Sequence, residues 1–183
     1  QLGAWEYDIV APYYKCNMTD IMAAIGLVQM KRYGALLERR REIIEAYARG
    51  LEGLDVEVIQ HYSDQDQTGC RLCNSADNGT GDEFRSSGHL FLVRLNGKDS
   101  IYRNALITKM AEAGVVTNVH YKPLPMHTAY KNLGFNISSY PNSEAMFVNE
   151  ITLPLHTCLS DEQVRYVTDV FRECCEELYR EIN

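Results

Sequence analysis

The spacing of hydrophobic positions changes period several times along this chain. Trp5-Glu6-Tyr7-Asp8-Ile9-Val10 alternates large apolar with acidic residues before Ala11-Pro12, which predicts a short strand entering a turn. Thr19 or Asp20 then offers a helix cap, and Ile21, Ala24, Ile25, Val28 and Met30 follow without a strong breaker, so helix is expected from Thr19 to about Tyr33. That segment is apolar over much of its circumference and contains the small residues Ala23, Ala24 and Gly26, the pattern of a helix buried between other elements. Gly34 marks a break or kink. Leu36, Leu37, Ile43, Ile44, Tyr47 and Leu51 next define one face of a second helical length, ending near Gly50 or Gly53.

Val56 and Val58 flank Glu57 in strand fashion. From Gln60 to Gly88 the chain turns polar, and a loop of this length in a compact domain is commonly mobile or functional. His89 to Leu95 reads as a central apolar strand that begins at a structural histidine, and Asp99 or Ser100 opens a helix closed by Gly114. A return strand is expected over Val115 to Val119, an extended segment around Pro123 and Pro125, and short helices over Met126 to Leu133 and Pro141 to about Asn149. An apolar run from Ile151 to Leu155 leads to a last helix. That helix opens on the capping box Ser160-Asp161-Glu162-Gln163 and carries Val164, Val167, Phe171, Cys174, Leu178 and Ile182 on one stripe. The sum is an α+β fold, a small antiparallel or mixed sheet of three to four strands packed against about five helices.

Composition narrows the function classes. A chain of 183 residues with 45% hydrophobic content supports a single domain, here one with a polar insert at about 60–88. Lys plus Arg number 18 against 25 Asp plus Glu, and the net charge of -7 opposes a nucleic-acid surface. The longest mostly apolar stretch, Ile21 to Met30, falls far short of the ~20 residues of a membrane span. The opening Gln1-Leu2-Gly3 has no initiator Met and no signal-peptide pattern, so a segment upstream and a cytoplasmic setting are expected. Six cysteines in a chain able to build a core fit buried thiols better than a disulfide scaffold. Only Cys70-Arg-Leu-Cys73 has metal spacing, and with His61 and His89 merely the nearest further candidates, no metal site is assigned. His61 and His156 carry no signal beyond surface or loop use.

The string from Tyr14 to Met30, Tyr-Lys-Cys-Asn-Met-Thr-Asp-Ile-Met-Ala-Ala-Ile-Gly-Leu-Val-Gln-Met, resembles the start of the small domain in the DegT/StrS family of sugar-nucleotide aminotransferases. Three later blocks resemble the family in the same order. They are His89-Leu90-Phe91 after Ser86-Ser87-Gly88, Val119 to His127, and Leu153-Pro154-Leu155 followed by Leu159 to Gln163. The resemblance implies the C-terminal small domain of a fold type I, pyridoxal-phosphate-dependent enzyme, whose cofactor domain lies upstream of residue 1. The parent would aminate a nucleotide-linked keto sugar in polysaccharide or amino-sugar biosynthesis; the alternative is a non-catalytic regulatory or binding module of the same family. The cofactor chemistry needs a Schiff-base lysine and a carboxylate against the pyridinium nitrogen. Neither has a counterpart in this chain, so no catalytic residue is assigned, and the chain alone is expected to bind no cofactor and to be inactive. The resemblance places Lys15 and Asn17 at the cofactor phosphate of a homodimer partner, against the alternative that both are turn residues before a helix. It places His120, Tyr121 and His127 toward the nucleotide sugar, against the alternative that they stabilise a proline-rich connector. The implied partners are the missing N-terminal domain, a second subunit, the nucleotide sugar and an amino donor.

Overall fold

The computed structural model describes residues 17–62 and 84–182. The strand expected over Trp5–Val10 and the Cys70–Cys73 pair lie outside them. The chain divides into two compact units, Gln1–Gly34 and Ala35–Asn183.

Helix α1 runs Asp20–Gly50, and Thr19 caps it by accepting the Met22 amide at 3.3 Å. The break expected at Gly34 does not occur. One interior glycine costs a helix about 1 kcal/mol relative to alanine, and the good helix formers on both sides of it outweigh that cost. The first half of α1, expected to lie between other elements, is uncovered in this chain. Ile21, Ile25 and Val28 are 75%, 59% and 54% exposed, in company with Met22, Leu27 and Met30. An all-round apolar helix reports a need for cover, which its own pattern cannot locate.

In the unit Ala35–Asn183, β1 (Val56–Val58), β2 (Phe91–Leu95) and β3 (Glu150–Leu153) form an antiparallel sheet in the order β1-β2-β3. Val93 pairs with Val58 on one side and Ile151 on the other. Alternation sends Phe91, Val93, Leu95, Ile151 and Leu153 into one buried face. Ile43, Ile44 and Tyr47 of α1 and Leu51 just beyond its end join them, with Leu106 and Met110 of α2 (Ser100–Glu112) and Val164, Val167, Phe171 and Leu178 of α5 (Asp161–Ile182). Tyr47 and Phe91 meet ring to ring at 5.1 Å, and the Tyr47 hydroxyl donates to the Pro154 carbonyl at 2.7 Å.

Both expected caps form. Asp99 accepts from the Ile101 and Tyr102 amides, and Ser160 and Gln163 exchange side-chain to backbone bonds at 2.9 and 3.2 Å. Before β2, Gly88 takes φ 62, and a Cβ there would lie 2.8 Å from Ile44 Cδ1; glycine satisfies both constraints.

Three further expectations are corrected. Val115–Val119 is not a strand, for only Asn118 bridges β3, through Thr152, while Val116 is 78% exposed. The helix expected over Met126 to Leu133 is shortened to α3, Thr128–Asn132, because a 3₁₀ turn, Leu124–Met126, set by Pro123 and Pro125, comes first. His61 is buried rather than a surface residue, stacked on Phe91 at 6.0 Å with Nδ1 against Ser86 Oγ at 3.1 Å. Helix α4, Pro141–Asn149, leads directly into β3.

Candidate functional site

β3 is buried at all four positions, although alternation leaves Glu150 and Thr152 on the face opposite the apolar core. Both are polar, and neither is stranded. Glu150, 1% exposed, accepts from the backbone amide of His120 through Oε2 at 2.9 Å, and its Oε1 accepts from the Thr152 hydroxyl. The Thr152 oxygen in turn lies 2.9 Å from His120 Nδ1. Arg103 of α2, 4% exposed, donates to the Phe147 carbonyl at 2.7 Å and so ties down the chain just ahead of Glu150. The Asn118 bridge to Thr152 aligns the segment that carries His120, with Thr152 N donating to Asn118 O at 2.8 Å and Asn118 N returning at 3.2 Å.

This chain of groups opens onto a cleft of about 190 Å³, lined among others by His89, Leu90, Thr117, Asn118, His120 and Thr152. Burial, aided by His89, lowers the His120 pKa and favours the neutral ring. Burial raises the Glu150 pKa, opposed by the Thr152 hydroxyl, the His120 amide and Arg103. Thr117 Oγ1 is buried and, among the described residues, has no hydrogen-bond partner. The imidazole, amide and hydroxyls stand among Leu90, Leu153, Pro154 and Leu155, so the cleft offers a few directed hydrogen bonds between apolar walls. A larger groove of about 340 Å³ beside Leu54, Tyr102 and Cys175 is mostly apolar and holds none of the residues singled out in the sequence.

Of those residues, His120 lines the cleft. Tyr121 packs edge-on against the His120 ring at 4.6 Å and is 67% exposed. His127 is not among the residues lining the cleft, and its Nε2 lies 3.3 Å from the Lys122 carbonyl across the proline-rich turn. Asn17 is exposed ahead of α1, in the other compact unit, and Lys15 lies outside the described residues. His89, expected to begin a buried strand, is exposed beside the cleft, and β2 begins two residues later. Glu150, Thr152 and Asn118 were missed. The available signal was the polar pair at i and i+2 in Glu150-Ile151-Thr152-Leu153, read only as the flank of an apolar run.

The profile of the DegT/DnrJ/EryC1/StrS aminotransferase family matches residues 4–172. The chain belongs to that family. Its fold is shared with a putative sugar aminotransferase from Streptococcus pneumoniae, solved in a PMP form. That protein is 47% identical at a TM-score of 0.78, over 97% of this chain and 40% of the other. The aminotransferase TlmJ from Streptoalloteichus hindustanus is 28% identical at a TM-score of 0.71, over 97% and 42%. Among curated relatives, the spore coat polysaccharide biosynthesis protein SpsC of Bacillus subtilis is 28% identical over 93% of this chain and 40% of its own length. The DegT-family chain described here thus spans about 40% of the relatives it matches. The Streptococcus protein is also known in a PLP form. The cofactor's Schiff base requires a lysine, and none is among the residues lining the His120 cleft, so that cleft does not fit the cofactor aldehyde.

Proposed function

We propose that this chain is the C-terminal small domain of a pyridoxal-phosphate-dependent transaminase acting on a nucleotide-linked keto sugar, with the His120 cleft meeting the sugar nucleotide. The observation that carries the reading is a family match over nearly the whole chain, combined with a cleft onto which His120, from the segment that resembles the family, opens. In this reading the cofactor supplies the electron sink when bound to the remainder of the protein. This chain's residues bind and orient: His120 and Tyr121 on the sugar nucleotide, and Lys15 and Asn17 on a phosphate across a homodimer. Surface polysaccharide or related glycoside synthesis in the cytoplasm is the setting.

The test compares this chain with a version extended through the coding sequence ahead of Gln1. Transamination from glutamate to a nucleotide-linked keto sugar and a Schiff-base absorbance band are expected in the extended protein, and neither in the chain as it stands. An extended protein with no band and no turnover overturns the reading. His120→Ala in the extended protein is expected to raise KM for the sugar nucleotide more than it lowers kcat.

A further inference from the structure

A threonine hydroxyl has one proton to give, and Thr152 gives it to Glu150 Oε1. Its oxygen is then free only to accept from His120 Nδ1 at 2.9 Å, so Nδ1 carries the hydrogen. The far side of the ring agrees. Asn118 Oδ1 accepts from the Val119 amide at 2.8 Å, which turns Asn118 Nδ2 toward His120 Nε2 at 3.5 Å. An amide nitrogen donates, so Nε2 offers its lone pair. Two contacts on opposite ring nitrogens therefore assign one tautomer, and the partner of one nitrogen sets what the other presents. The Glu150 carboxylate is the origin of this polarity. Both its oxygens face donors, the Thr152 hydroxyl and the His120 amide, and a proton on Oε1 would reverse every bond after it.

We propose that Glu150 and Thr152 are positioning residues that hold His120 as its Nδ1–H tautomer, so that Nε2 presents a lone pair which Asn118 Nδ2 occupies at 3.5 Å in the free chain and which a sugar hydroxyl, but not a phosphate oxygen, takes over by displacing that long contact. The ligand half of this statement rests on the function proposed above; the tautomer half does not. Asn118 and His120 both line the cleft, and a neutral Nε2 lone pair meets a hydroxyl proton favourably and repels an anionic oxygen. Phosphate recognition then falls to other groups.

Long-range ¹H–¹⁵N correlation spectra of the ¹⁵N-labelled protein at neutral pH read the tautomer directly, and the peaks lost in His120→Gln assign it. Wild type and Thr152→Ser, which keeps the hydroxyl, are expected to show a protonated Nδ1 and an unprotonated Nε2. In Glu150→Gln the amide oxygen keeps the His120 amide bond while its nitrogen donates to Thr152, so the relay inverts. Thr152→Val removes the acceptor altogether. Both are expected to lower the ratio of Nδ1–H to Nε2–H by about tenfold, the worth of one hydrogen bond. An Nε2–H ring in wild type, or an unchanged ratio in both variants, overturns the relay whether or not the extended protein transaminates. UDP-glucose and UDP are then titrated against the labelled protein. A shift of Nε2 with UDP-glucose alone supports the hydroxyl assignment; an equal shift with UDP, or none with either, overturns it.

Discussion

Gly50 closes α1 where it crosses α5, and replacing it with alanine tests how tightly that crossing is packed. A Cβ at Gly50 would lie 2.6 Å from Thr168 Cγ2, 2.9 Å from Thr168 Cβ and 3.0 Å from Thr168 Oγ1. Ordinary carbon contacts are about 3.5–4.0 Å, so the overlap approaches 1 Å. Thr168 cannot easily yield. It is β-branched, 5% exposed, and its hydroxyl donates to the Arg165 carbonyl at 2.7 Å. Arg172 adds a second restraint, donating to the Gly50 and Glu52 carbonyls at 3.0 and 2.9 Å. Overpacking of this kind costs about 1–3 kcal/mol, against a helix-propensity gain for Gly→Ala of at most about 1 kcal/mol. Gly50→Ala is therefore expected to destabilise by about 1–2 kcal/mol in urea unfolding, or about 2–8 °C in Tm. Thr168→Ala removes two of the three clashing atoms. The double variant should be more stable than the sum of the singles predicts, by about 1 kcal/mol. A neutral or stabilised Gly50→Ala, or additivity within about 0.5 kcal/mol, refutes the packing argument.

Other consequences follow from the same structure. Phe91→Ala empties a fully buried site against Tyr47 and His61 and should cost about 3–5 kcal/mol in the same urea assay. Ser160→Ala should cost about 0.5–2 kcal/mol and speed amide exchange in the first turn of α5, because the Gln163 amide loses its acceptor. Burial lowers the His61 pKa below its ordinary 6.5, so the unfolded chain takes up a proton first as pH falls. Stability from this group is full above about pH 6.5 and declines as pH drops toward the folded value; His61→Leu should flatten that decline in urea midpoints measured against pH. The apolar first half of α1 should bind an environment-sensitive apolar dye, and Ile21→Glu with Ile25→Glu should abolish most of the signal while leaving the unfolding of Ala35–Asn183 unchanged.

Much of the fold was legible in the chain because local chemistry and periodicity agree there. The Asp99 cap and the Ser160–Gln163 box each use residues within three positions of one another, so spacing alone finds them. The alternation in Phe91–Leu95 and the stripe from Val164 to Leu178 point to their buried faces for the same reason. Gly34 misled because one unfavourable residue was weighed without the helix formers on either side. Val115–Val119 misled because a strand needs a partner along its length, and here β3 offers one position, at Asn118.

The candidate site was half legible. His120 and Tyr121 stood out through their setting in the Val119–His127 segment, and His127, in the same block, contacts the Lys122 carbonyl of its own turn. Nothing in residue order joins Glu150 and Thr152 to a histidine some thirty positions earlier. By itself the sequence determined the family, most of the element types and the acidic balance, because these depend on neighbouring residues and on totals. Only the tertiary structure decided that a carboxylate on the second face of β3 is buried and that a threonine hydroxyl stands between it and an imidazole. Hydrogen-bond direction is a property of groups brought together by folding, each with a fixed supply of protons.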